Sequence, residues 1–182
     1  MAAASGSGVF SSDDGYGNLT NGTLSQVYEV IQGQAKISSV ENKTHTKNLD
    51  GSESWMDGSD QNGVKTQASV ITYLYDENGK LTGSGARASE GISMSNDGFG
   101  NWTESRVKQN YILTSNGQAK VSDTESVSES RNKDGSSSKQ EMKVSYHYYG
   151  ESGYPASADH KVSQMAAASG SGVFSSDDGY GN

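Results

Sequence analysis

The chain opens with MAAASGSGVFSSDDGYGN, Met1 to Asn18, and the same eighteen residues return as Met165 to Asn182. Chance does not produce eighteen identities, so the chain carries an internal repeat with a period of 164 residues. A diverged repeat lies inside this one. DDGYGNLT (Asp13–Thr20) matches NDGFGNWT (Asn96–Thr103), GQAKISSVE (Gly33–Glu41) matches GQAKVSDTE (Gly117–Glu125), and KNLDGSES (Lys47–Ser54) matches RNKDGSSS (Arg131–Ser138), at offsets of 83 or 84 residues. ITYLY (Ile71–Tyr75) matches VSYHY (Val144–Tyr148) at an offset of only 73, so the first half carries about eleven extra residues around WMDGSDQNGVKT. The unit is about 82 residues, and two units make a period of 164 that starts again at Met165. This arithmetic predicts a first β repeat unit over 1–95, a second over 96–176, and the start of a further period over 165–182. The chain reads as a cut from a longer tandem array; a duplicated end or a terminal segment exchanged between neighbours is the alternative.

The local pattern is that of strands and turns. Four Asn-Gly pairs occur, at Asn21, Asn62, Asn78 and Asn116. Asn-Gly tolerates positive φ at both positions and signals hairpin turns. Between the turns the sequence alternates: MKVSYHY places Met142, Val144, Tyr146 and Tyr148 on one face, and VKQNYIL groups Val107, Tyr111 and Leu113. LSQVYEVI reads as a strand, and VITYLY is apolar on both faces and so reads as a central one. SSVENKTHTKN and SDTESVSESRN are long and polar, which fits hairpins whose far ends stand in solvent. Leu, Ile, Val and Phe together make up only 26 of 182 residues, a content typical of disordered chains, but ten Tyr and two Trp supply further surface to bury. The nearest approach to a helix, ASADHKVSQMAAAS near the C-terminus, is not convincing. The expected fold is all-β: a repeating antiparallel meander of long strands and hairpins, stacked as a fibre-like tandem array.

Within these segments, YLYDENGKLTG (Tyr73–Gly83) resembles the YD-repeat motif of Rhs- and teneurin-type proteins, and its tail recurs as DGYGNLT at Asp14 and DGFGNWT at Asp97. From Asp76 to Asp97 is 21 residues, close to that family's spacing. The resemblance implies a continuous β-ribbon in which Asp caps a tight turn, Gly supplies positive φ and the next strand begins at Leu or Trp. The tyrosine before the aspartate is missing at Asp14 and Asp97, and no toxin or cleavage region of the Rhs type is present. The overall style is similar to large bacterial tandem-repeat surface and fibre proteins.

Charge and chemistry narrow the function. The net charge of −8 argues against nucleic acid and anionic membranes, both of which need clustered Lys and Arg. There are no cysteines and no apolar run long enough to span a bilayer, and MAAASGSGVF lacks the basic and apolar regions of a signal peptide. His45, His147 and His160 stand apart without carboxylate or thiol partners at metal-binding spacing, and neither a nucleophile elbow nor a phosphate-binding glycine loop occurs. The adjacent pairs Asp13-Asp14 and Asp177-Asp178 read as turn caps rather than as paired catalytic acids. No catalytic residue is assigned, and no cofactor beyond a calcium candidate at Asp57, Ser59 and Asp60, a loop without the glutamate an EF-hand needs. Asn18, Asn21, Asn42 and Asn101 head N-x-[ST] sequons that would accept glycans in a suitable cell. The expected function is structural: an extracellular or cell-surface filament segment whose partners are copies of itself. The alternative is an adhesin-type module that binds glycans or cell surfaces.

Overall fold

The computed structural model describes residues 4–180. Thirteen strands form, and no helix occurs among the described residues: β1 (Ala4–Asp13), β2 (Leu19–Ile31), β3 (Gln34–Lys47), β4 (Glu53–Met56), β5 (Asp60–Gln61), β6 (Val64–Lys65), β7 (Val70–Tyr75), β8 (Leu81–Ala88), β9 (Gly91–Asn96), β10 (Trp102–Leu113), β11 (Ala119–Arg131), β12 (Ser137–Tyr148) and β13 (Met165–Asp177). Eleven of them make one antiparallel sheet in the order β1-β2-β3-β4-β9-β10-β11-β12-β13, with β7 on β3 and β8 on β7; β5 and β6 form a separate small hairpin. All pairings are between antiparallel neighbours, so the sheet is a meander, as the sequence predicts. The weak helical window ends up as turns followed by the start of β13.

β4 and β7 together fill the place that β12 fills alone. Met56 faces Thr44 and Val70 faces Glu41, while Gln140 faces Ser128 and Lys143 faces Glu125. Thirteen residues separate Met56 from Val70 where Glu141 and Met142 suffice in β12, so the insertion is eleven residues long and lies within 57–69. It leaves the sheet after β4, makes the β5–β6 hairpin and returns through a bridge from Gln67 to Ile92. The sheet passes without a break through the 95/96 boundary, because β9 pairs with β4 on one side and β10 on the other.

With so few apolar residues, burial is local. Ala68 and Met94 are buried where the insertion and β9 come together, and Ala86 lies in β8. Tyr148 is buried at the end of β12, and its hydroxyl donates to the Val121 carbonyl at 2.8 Å. The repeat-equivalent Tyr75 donates to the Ile37 carbonyl at 3.0 Å. Burial raises both phenol pKa values. Elsewhere cross-strand pairs do the holding. Lys143 bridges Glu125 at 2.8 Å and Lys139 reaches Glu129, both from β12 to β11, while Lys139–Glu141 and Arg106–Glu104, the latter at 2.6 Å, add ion pairs along single strands. His45, Trp55 and Trp102 stack in a row across the sheet, with ring centroids 5.4 and 5.8 Å apart.

Three of the four Asn-Gly pairs make turns. Asn62 and Gly63 join β5 to β6, both at positive φ, and Asn78 and Asn116 sit in the β7–β8 and β10–β11 connections. Asn21-Gly22 does not: it lies inside β2, near its start, facing Ser11 and Phe10. The missing turn falls instead at Gln32-Gly33, whose φ values of 52° and 74° close the β2–β3 hairpin. Gly22 is glycine for packing rather than for turning. A methyl group there would collide with the Phe10 ring and lie 2.5 Å from the Lys43 carbonyl oxygen.

Candidate functional site

Two features stand out: a ridge of turns along one end of the sheet, and the two outer strands. The ridge is built from two kinds of aspartate turn. In the D-G-x-G-N turns, Asp14 Oδ1 accepts from the amides of Tyr16 and Asn18 at 2.8 and 3.2 Å, and Asp97 Oδ1 accepts from Phe99 and Asn101 at 2.8 and 3.1 Å. At the opposite end of the sheet, beside the β2–β3 turn, the YDENGKLT segment carries the same cap, with Asp76 Oδ1 accepting from Asn78 and Lys80, both at 2.9 Å. In the D-G-S turns, Asp50 and Asp134 each accept from the amide and hydroxyl of the serine two residues on, Ser52 and Ser136. These hydrogen bonds lower the pKa of Asp14, Asp50, Asp97 and Asp134. The tail that the YD resemblance picked out therefore marks one recurring aspartate cap on two backbone turns: Gly15 and Gly98 take positive φ where Glu77 does not, and the Gly79 amide donates to the Asp76 carbonyl at 3.0 Å.

Neighbouring turns then lock together. Asn18 Oδ1 accepts from the Leu49 amide at 3.0 Å, and Asn101 Oδ1 accepts from the Lys133 amide at 3.0 Å. Between these links glycine meets glycine: a Cβ on Gly98 would lie 2.9 Å from the Gly51 carbonyl carbon, and one on Gly179 would lie 2.9 Å from that of Gly135. At the crest Tyr16, Phe99 and Tyr180 occupy equivalent positions and are 76–87% exposed. Tyr16 and Phe99 are four strand positions apart, about 19 Å at the usual strand spacing.

The outer strands are unusual for edges. β1 and β13 each have one neighbour, β2 and β12. Soluble proteins protect long edges with Lys, Pro or bulges. Here the edge sequence ASGSGVFSSD contains no cation and no proline, and its only charge is the terminal aspartate. Val9, Val173 and Phe174 are 67–87% exposed. The cations and carboxylates lie on interior strands instead, chiefly β10, β11 and β12.

No family model matches this chain, and neither does any curated protein or solved structure.

The other sequence candidates are dispersed. His45 Nε2 pairs with Glu53 at 3.0 Å, His147 stacks on Tyr154, and His160 stacks on Tyr149. Asp13 caps the Gly15 amide, Asp177 the Gly179 amide and Asp178 the Tyr180 amide. Asp57 Oδ1 accepts from the amide and hydroxyl of Ser59 and from Thr66; burial opposes its ionisation, but these hydrogen bonds outweigh it and lower the pKa. Asp60 lies in the β5–β6 hairpin. Among the described residues, no three or more His, Asp or Glu side chains converge as a metal site would require. Of the sequon asparagines, Asn18 and Asn101 use their Nδ2 groups on Asp14 and Asp97, whereas Asn21 and Asn42 are exposed on β2 and β3. No helix among the described residues is long and apolar enough to cross a membrane. Sequence reasoning missed the turn-to-turn links and the role of Gly22. The pairing of Asn18 with Asn101 as repeat equivalents was the signal for the first; an Asn-Gly inside an alternating segment was the signal for the second.

Proposed function

We propose that this chain is a structural segment of an extracellular filament or surface fibre, in which copies of the same sheet succeed one another. The observation that carries this reading is the inverted charge distribution. Charges sit mainly on interior strands, while the two outermost strands are long and open and carry no charge but a terminal aspartate. Such an edge is a hazard in a solitary protein and an asset in a polymer. The aspartate turns, which resemble those of YD-repeat ribbons, supply regular hairpin ends without a large core. Immunogold labelling of source cells, with the mass of the labelled polypeptide measured under denaturing conditions, tests the proposal. Labelled filaments outside the cell are expected; diffuse intracellular label on compact particles would overturn it.

The adhesin reading draws on the exposed rings of Tyr16, Phe99 and Tyr180 along the ridge crest, since aromatic faces free of other contacts can stack on sugars. The His45–Trp55–Trp102 row does not serve that purpose, because its ring faces are turned on one another. A glycan array probed with the chain and with Tyr16→Ala/Phe99→Ala separates the two readings.

A further inference from the structure

We infer that a second copy of the 164-residue period continues the sheet past β13. Its β2 pairs with the free edge of β13 in the register that β1 holds with β2, so that one strand, Met165–Asp177, serves both periods. This rests on the filament reading and specifies the joint within it.

Strand β9 is the template. Ser95 and Asn96 are each paired on both sides, with Ser54 and Glu53 of β4 and with Thr103 and Trp102 of β10. On the β4 side, Asn96 faces Glu53 as Asp177 faces Ser137, each partner displaced by its repeat offset. On the β10 side, Asn96 faces Trp102 as Asp13 faces Leu19. The sequence shared by β1 and β13 thus shows one of its edges in use at each end of the sheet: the β2-facing edge in β1, the β12-facing edge in β13. The interior strand shows that both edges are used together in these same registers. Merging the two identical strands sets Asp177 against Leu19, and Phe174 against Gly22, of the next copy.

Side chains at this joint fit the merger. Phe10 is 40% exposed because its ring lies over Gly22, whereas Phe174, the same residue one period on, is 68% exposed. The corresponding pair inside the chain is Ser93 against Ser105, two small residues. The knob and the notch therefore occur only where one period meets the next. The ridge reaches the β13 end by the same glycine contact, Gly135 on Gly179, that carries it across the middle as Gly51 on Gly98.

The test is amide hydrogen exchange over residues 165–177, measured in the 182-residue chain and in a two-period polypeptide made of residues 1–182 followed directly by 19–182. An edge strand leaves alternate amides without a partner, and an interior strand leaves none. The outward amides of this segment should slow by at least about 100-fold in the longer chain, as expected when a frayed edge joins a cooperative unit. Unchanged exchange overturns the shared strand. A second measurement uses the absence of cysteine in the chain. In the two-period polypeptide, Ser171→Cys of the first period and Ser25→Cys of the second should form a disulfide on mild oxidation, since Ser7 faces Ser25 in the first sheet. Moving the first cysteine to Ser169→Cys, two residues along the same face, should reduce the yield at least tenfold; equal yields overturn the register. Two periods folding as separate sheets would sink this joint and leave a beaded filament tenable. A protected joint in a protein never found in filaments would sink the filament reading alone.

Discussion

Replacing Gly22 by alanine probes the packing of the outer strand directly. The new Cβ meets two groups of different compliance. One is the Phe10 ring on β1, an edge side chain that can swing away or peel off with its strand. The other is the Lys43 carbonyl oxygen, 2.5 Å from the Cβ position and fixed in the β2–β3 ladder. Overpacking of this kind costs about 1–3 kcal/mol, against which the lower backbone entropy of alanine returns about 0.4–1 kcal/mol. The net expectation is a loss of about 1–2 kcal/mol, or roughly 2–8 °C in melting temperature for a chain of this size. Phe10→Ala in the same chain should recover only the ring's share of the loss, leaving the clash with the carbonyl. Urea unfolding gives the global figure, and amide exchange over β1 shows whether that strand detaches first. A neutral or stabilising Gly22→Ala would refute the close approach, and full recovery by Phe10→Ala would remove the role given to Lys43.

Other substitutions test the remaining supports. Tyr75→Phe and Tyr148→Phe each remove one hydrogen bond to a β-strand carbonyl and should each cost about 1 kcal/mol in urea unfolding, adding independently because they lie in different halves; a double variant as stable as the parent would show that the phenols only fill space. Gly98→Ala and Gly117→Ala impose the same positive-φ strain, near +80°, but only Gly98 faces another backbone, so Gly98→Ala should cost at least about 1 kcal/mol more; equal losses in parallel melts would dissolve the Gly51 contact. Asp14, Asp50, Glu53, Asp97, Asp123 and Asp134 all have lowered pKa values in the fold, Glu53 chiefly through His45 and Asp123 chiefly through Asn110. Their stabilisation is present above the unfolded carboxylate range, about pH 4, and is lost as pH falls through the folded values. Melting temperature should therefore hold steady from pH 7 to about 5 and fall below about 4, whereas a rise on acidification would mean that repulsion within the net charge of −8 dominates.

The all-β meander was legible because its determinants are local. Alternation in MKVSYHY, positive-φ pairs such as Asn62-Gly63, and aspartates two residues before a free amide all act within a few residues of chain. The eleven-residue excess was legible too, as a change of offset, although its position was not: placing it within 57–69 needed the pairing of Met56 with Thr44 and of Val70 with Glu41. The sheet's internal charges were visible as residues, but not as the inverse of ordinary edge protection, since only strand order tells which strands lie outside.

By itself the sequence determined the repeat, the strand class and the turn chemistry, because period-2 alternation and glycine-bearing turns are properties of short windows. Tertiary structure decided what those windows are for. It showed that Asn21-Gly22 seats a phenylalanine rather than reversing the chain, since a ring on β1 and a carbonyl on β3 converge there only after three strands are in register. It also showed that identical strands end the sheet on opposite sides, each with one edge satisfied and one open. Which edge a strand leaves unpaired depends on its neighbours, and no window of sequence contains them.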